Sequence, residues 1–257
     1  MKASIPFKSA ARQQENIIAP LEKRVLAGLA ARMPNWINPD HLTCLGFAGM
    51  VLAGLSYYLA QWNSYMLLVA IAFLAVNWFG DSLDGTIARY RDCQRPRYGF
   101  YVDHMVDAFG MLFLIGGLGL SGYMSPIVAM GLLLAYFLLS IELYLAVHTV
   151  GVFKLSFGIW GPTELRVLLA AGNVALMLKP NANIAGHLYL LGDIGGVVTI
   201  VVLGFLALYS SYSNTLRLYA EERLSYIDRE HASTRRQRSA TTCPGSFRQL
   251  RTRSQNG

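Results

Sequence analysis

The sequence predicts an all-α integral membrane protein with six transmembrane helices and an N-terminal amphipathic helix at the membrane interface. Three observations carry this. The 257 residues are 54% apolar and only 14% charged, against roughly 45–50% and about 25% in ordinary soluble domains, and mean hydropathy is +0.37. Six apolar runs have about the length that a helix needs to cross a bilayer core of roughly 30 Å. Lys and Arg gather on one side of those runs. The same figures exclude a disordered chain, a coiled coil and a soluble domain whose core is covered by polar faces.

Residues 1–40 form a cytoplasmic segment that is mixed and charged. No short apolar run in it ends in an A-x-A site, so no cleavable signal peptide is expected. Within it, Pro20 suits a first helical position. Leu21, Val25, Leu29 and Met33 follow at four-residue spacing, with Glu22, Lys23, Arg24 and Arg32 mostly on other faces. This reads as a helix lying in the interface, although the same pattern would serve a helix packed on protein. Pro34 and Pro39 bracket a turn that places Trp36 at headgroup depth.

Residues 41–211 hold the spans, at about 42–61, 65–88, 99–121, 124–147, 162–179 and 186–210. Six Lys/Arg precede residue 41, four lie from Arg89 to Arg97, Lys154 follows the fourth run and nine arginines follow residue 212, whereas the opposite side carries Lys179 alone. Both termini and the Arg89–Arg97 loop are therefore expected in the cytoplasm, with an even number of spans. Residues 212–257 form a basic cytoplasmic end. Leu216, Tyr219, Leu224 and Ile227 extend the last helix past the membrane, and from about 231 the chain has little to bury and is expected to be disordered. Beside so many spans, these arginines suit anionic lipid headgroups rather than nucleic acid. Cys44, Cys93 and Cys243 form no CxxC pair and no disulfide framework.

Ionisable groups at membrane depth are costly and mark functional sites. The second span ends in Asp81-Ser-Leu-Asp84-Gly85-Thr-Ile-Ala88-Arg89, and the third begins Gly99-Phe-Tyr-Val-Asp103-His-Met-Val-Asp107. Spacings of three and four put each aspartate pair on one helical face. A short loop joins the two helices, so all four carboxylates can face one site. Four anions there would repel and resist desolvation. Divalent cations resolve this, and all-oxygen ligands favour Mg²⁺, Mn²⁺ or Ca²⁺ over zinc. Four carboxylates suit two ions about 3.5–4 Å apart, as in phosphoryl-transfer sites. Gly85 leaves room for a ligand or backbone to approach, and the planar fork of Arg89 can face a phosphate. Ion pairs between helix ends, with Arg89, Arg91, Arg95 and Arg97, are the alternative use of the same charges.

The combined pattern, Asp81-x2-Asp84-Gly85-x2-Ala88-Arg89-x9-Gly99-x3-Asp103-x3-Asp107, resembles the signature of the CDP-alcohol phosphotransferase (CDP-alcohol phosphatidyltransferase) family. Eight fixed residues at roughly one in twenty each would coincide by chance about once in 10¹⁰ start positions. The resemblance implies an enzyme that splits the pyrophosphate of a CDP-linked alcohol, transfers the substituted phosphate to an acceptor hydroxyl and releases CMP. It implies that Asp81, Asp84 and Asp103 hold one Mg²⁺ or Mn²⁺ ion, and that Asp81, Asp103 and Asp107 hold a second. It further implies that Asp107 is the general base, that Gly85 and Arg89 contact the CDP moiety, and that the protein is a homodimer.

Softer matches surround this motif. Pro39-Asp40-x2-Thr43 resembles a family stretch that usually reads Pro-Asn-x-x-Thr. Asp40 and Thr43 are candidate contacts to CDP, or else a helix N-cap and a helix-facing hydroxyl. Arg95 is a candidate for the substrate phosphate. Glu164 and Arg166, at the start of the fifth span, are candidates for headgroup recognition or a structural ion pair. His104 gives an Asp-His-x-x-Asp pattern similar to the choline/ethanolamine phosphotransferase branch, as does Pro34-x-Trp36-x-x-Pro39. Six spans fit CDP-diacylglycerol-using members better than the roughly ten-span eukaryotic enzymes of that branch. The expected reaction is therefore transfer from CDP-diacylglycerol to a small polar alcohol. The alternatives are transfer from CDP-ethanolamine or CDP-choline to diacylglycerol and, more remotely, a divalent-cation transporter, which would place its acids at mid-membrane.

Overall fold

A computed structural model describes the backbone of residues 19–150, 162–184 and 186–241. Among these, the order is α1 (Ala19–Arg32), α2 (Pro39–Leu59), α3 (Met66–Tyr90), α4 (Pro96–Gly119), α5 (Pro126–Thr149), α6 (Pro162–Leu178), β1 (Asn181–Ile184), β2 (His187–Leu190) and α7 (Leu191–Thr241). The chain is an all-α membrane protein apart from one small hairpin. Among the described residues, five helical stretches are long and apolar enough to cross a membrane: α2, α3, α4, α5 and Leu191–Glu222 of α7. The sixth expected span is shorter. Its apolar part is Leu165–Leu178, and the 17 residues of α6 reach about 26 Å.

Two compact units divide the chain at Tyr209/Ser210. In the first, α2 packs on α3 and α4, while α1 and α6 lie on α3 and α5 lies on α4. Lipid is as apolar as leucine, so helices in a membrane are held by close packing and polar contacts rather than by removal from water. Small residues set the approach here. A Cβ on Gly80 would lie 2.5 Å from the Gly46 nitrogen and the Leu42 oxygen, and one on Gly117 would overlap the Gly54 carbonyl. Around these contacts, Met50, Ala53 and Tyr57 of α2 meet Leu67, Ala70 and Leu74 of α3, with Leu114 of α4 and Leu176 of α6.

The loops at the two ends are fixed by identifiable bonds. Asn38 is the N-cap of α2, with Pro39 at the first helical position. Its N–H donates to His41 Nδ1 at 3.3 Å. Asp40 therefore sits inside the first turn and is not the cap. Asp92, at φ 53°, ends α3 in a Schellman pattern: its N–H and that of Cys93 donate to the Arg89 and Ala88 carbonyls at 3.3 and 3.0 Å. At the far end, Asp193 Oδ1 accepts the Ser125 N–H at 2.6 Å, joining the starts of α5 and α7.

Three boundaries differ from the sequence reading. Residues 186–190 belong to a hairpin rather than to the last span. Ile184 pairs with His187, Gly186 has φ 87°, and its N–H donates to Asn183 Oδ1 at 3.1 Å. The α1 helix is packed on protein through a face that only partly coincides with the one expected: Leu29 and Met33 pack against the buried cluster, but its centre lies elsewhere. Leu26 and Ala30 are buried against Leu42, Leu83 and Ile87, while Val25 is 46% exposed. In the second unit, α7 is assigned through Thr241, past the expected loss of structure near 231, and residues 231–241 include Ala, Arg and Gln, which are good helix formers. Lys154, residues 242–257 and the Glu164 side chain lie outside the described residues.

Candidate active site

Both helices that carry the aspartate motif present it at one end of the first unit. The starts of α2, α4 and α6 and the C-terminal part of α3 surround a cavity of about 630 Å³, with α1 as a further wall. Asp81, Asp84 and Asp103 line it, together with Asp40, Thr43, Gly85, Arg89, Arg95 and Arg166. A small adjoining cavity is lined by all four motif aspartates, Asp107 included, with Thr43 and Asn77. Nine of the residues singled out in the sequence thus line one cavity, and Asp107 sits directly beside it.

Each carboxylate has its own surroundings. Asp81 Oδ2 accepts Arg166 Nη2–H at 2.6 Å, and Arg166 Nε–H donates to Asn77 Oδ1 at 3.1 Å. Asn77 in turn donates to the Gly46 carbonyl at 3.1 Å. Asp84 Oδ2 accepts the Thr43 hydroxyl at 2.6 Å, and Asp84 Oδ1 lies against the Gly85 N–H. Asp103 is half exposed, with its Oδ2 3.7 Å from His104 Nδ1. Asp107 borders the small cavity together with Asp81, Asp84 and Asp103.

This set fits divalent cations by its chemistry: four carboxylates border one small cavity, and their charge exceeds that of the guanidinium beside them. They do not converge on one point. Among the described residues, no three His, Cys, Asp or Glu side chains come close enough together to hold a metal ion. Asp81 and Asp84 are instead bonded to Arg166 and Thr43. Gly85 adds a cradle. A Cβ there would meet only the flexible Arg89 guanidinium, at 3.5 Å, so the missing side chain opens space toward the cavity.

The remaining candidates divide. Asp40 and Arg95 form an ion pair with each other, and Arg95 lies 4.3 Å above the Tyr98 ring. Asp40 holds the Arg95 pKa above its ordinary value. Arg166 takes the structural-pair alternative while still lining the cavity. His104 is not on the cavity wall. Its Nδ1–H donates to the Phe100 carbonyl at 2.7 Å, and its ring packs against Phe100 and Tyr144 at 4.1 and 4.6 Å. Arg91, read as a possible ion-pair partner, instead donates to the carbonyls of Ile37, Met33 and Pro34 at 2.6, 3.0 and 3.0 Å. It thereby ties the α1–α2 turn to the end of α3.

Two residues of this region were not singled out in the sequence. Asn77 precedes Asp81 by one helical turn in an otherwise apolar stretch, a signal that could have been used. Glu22 lines the cavity, but from sequence it belongs to the polar face of α1.

With this geometry in view, the comparison with known proteins is direct. The model of the CDP-alcohol phosphatidyltransferase family matches residues 36–209, well over half of the 257-residue chain and the whole span of the aspartate motif. No curated protein matches the chain. The chain belongs to the CDP-alcohol phosphatidyltransferase family, membrane-bound transferases of substituted phosphate groups that act in phospholipid synthesis.

Proposed function

We propose that the protein transfers the phosphatidyl group of CDP-diacylglycerol to a small polar alcohol and releases CMP, at a site that opens to the cytoplasm. The observation that carries the reading is the clustering of all four motif aspartates around one small cavity, next to a larger cavity that also holds Gly85 and Arg89. Asp81, Asp84, Asp103 and Asp107 would hold two Mg²⁺ or Mn²⁺ ions. Such ions, when bound, draw charge from the attacked phosphorus and stabilise the departing CMP.

The chain's own groups do the rest. Thr43 donates to one oxygen of Asp84 and fixes its rotamer. Arg166 holds Asp81 and supplies positive charge beside the transferred phosphate. Arg89 presents its guanidinium fork at the cavity wall, where it suits the CDP pyrophosphate. Arg95 is poised at the cavity too, and substrate phosphate would compete with Asp40 for it. Asp107 accepts the proton of the acceptor hydroxyl from its place on the small cavity.

Six crossings are part of the proposal. The α2, α4 and α6 starts share the cavity end, which supports a return crossing by α5. The α7 start is bonded to the α5 start at the opposite end, which supports a crossing by α6 as well. A chain with six crossings and a basic cavity end is oriented with both termini in the cytoplasm.

The test is CMP release by purified protein in lipid with Mg²⁺ or Mn²⁺. CDP-diacylglycerol is offered with a panel of alcohols in one arm, and CDP-ethanolamine or CDP-choline with diacylglycerol in the other. Release in the first arm alone is expected. Release in the second alone would contradict the choice of donor. The packing of His104 away from the cavity wall gives that second reaction no support.

A further inference from the structure

We propose that Glu22 of α1 is a positioning residue for the transfer reaction, holding the start of α6 against α3 so that Arg166 stays in register with Asp81. The proposal rests on the reading given under Proposed function. One carboxylate oxygen, Glu22 Oε1, accepts three hydrogen bonds: Trp78 Nε1–H at 2.9 Å, the Thr163 hydroxyl at 2.9 Å and the Ser82 hydroxyl at 3.5 Å. Those donors come from two helices. Trp78 and Ser82 are one turn apart on α3, and Thr163 lies in the first turn of α6.

The register of these contacts matters. Trp78 and Ser82 each follow by one residue the two groups that Arg166 grips, Asn77 and Asp81. Thr163 precedes Arg166 by three residues and so shares its helical face. Two polar bridges therefore run side by side between α6 and α3, one through Arg166 and one through Glu22. Apolar packing does little to fix this end of α6, because Leu165, Val167 and Leu168 are all more than half exposed. The α1 helix that carries Glu22 is itself anchored, through buried Leu26 and Ala30. A charged acceptor strengthens each bond, and its removal leaves partly buried donors without their partner.

The test uses the full chain in lipid, with two readouts. Hydrogen–deuterium exchange over residues 162–170 reports the clamp, and CMP release reports its consequence. Glu22→Ala is expected to speed exchange at the start of α6 by about tenfold or more and to lower kcat by about tenfold, with KM for the CDP-alcohol little changed. Glu22→Gln keeps an acceptor oxygen and is expected to restore both readouts to within about threefold of wild type. Thr163→Val removes one of the three donors and is expected to shift both readouts in the same direction as Glu22→Ala, by less. Glu22→Ala combined with Arg166→Gln is expected to fall no further than Arg166→Gln alone, since both losses pass through the same pair. Unchanged exchange in Glu22→Ala, no rescue by Gln, or fully additive losses would each overturn the proposal. A wild type that releases no CMP would instead overturn the transferase reading and with it the part given to Glu22, while the exchange arm reports on the clamp by itself.

Discussion

Four aspartates around one small cavity set a charge problem that Arg166, paired to Asp81, answers only in part. Individual residues can be assigned to that problem by what they touch. The Thr43 hydroxyl fixes Asp84 at 2.6 Å, so Thr43→Val, close in volume but without the donor, is expected to slow CMP release about tenfold, equivalent to ~1.4 kcal/mol. Wild-type turnover in that variant would contradict the assignment. Gly85 is different in kind. A methyl group there would meet only the Arg89 fork, at 3.5 Å, so Gly85→Ala is expected to leave the melting temperature within about 2 °C while raising KM for the CDP-alcohol about tenfold or more. A large drop in melting temperature would mean that Gly85 serves packing instead. The motif residues were legible because their spacing is fixed by helix geometry. The Asp40–Arg95 pair was not, because its partners lie 55 residues apart and local sequence carries no sign of their meeting.

At the scale of elements, the helices were legible from apolar run length, and their faces were not. The α1 helix shows why. Its leucines and alanines occupy several faces, so a four-residue spacing through Val25 was as consistent with sequence as the Leu26–Ala30 stripe that packs on α3. Glu22 was misplaced with it. The β2 strand was absorbed into the last span because His187, Leu188, Tyr189 and Leu190 continue into its apolar run. Packing between elements gives a paired test at adjacent positions. A Cβ at Gly117 would overlap the Gly54 carbonyl, whereas one at Gly116 would meet nothing within 4 Å. Gly117→Ala is expected to cost about 1–3 kcal/mol and separate α2 from α4. Gly116→Ala is expected to be neutral or to stabilise by a few tenths of a kcal/mol. Equal thermal stability of the two variants would argue against the close α2–α4 approach.

At the scale of the whole molecule, the catalytic apparatus and the basic C-terminal part fall in different units. Every residue that lines the candidate cavity precedes Ser210. Deletion of residues 235–257 is therefore expected to leave CMP release in detergent within about twofold of the full chain. A total loss would assign the tail a part in the site. The apolar helices of the first unit were legible in outline from the lengths of the apolar runs. The short reach of α6 was less so, because the run from Leu165 to Leu178 is apolar apart from Arg166, close to its start, and Asn173.

The central claim is that the clustered aspartates perform transfer from a CDP-linked alcohol. It is tested most directly by measuring CMP release from CDP-diacylglycerol by the wild type, Asp84→Asn and Asp103→Asn proteins, each purified in lipid with Mg²⁺ or Mn²⁺. The wild type is expected to release CMP only when the divalent ion is present, and both variants are expected to lose at least about 100-fold in rate while melting as the wild type does. Release at the wild-type rate by either folded variant, or undiminished release in the presence of a chelator, would contradict the claim.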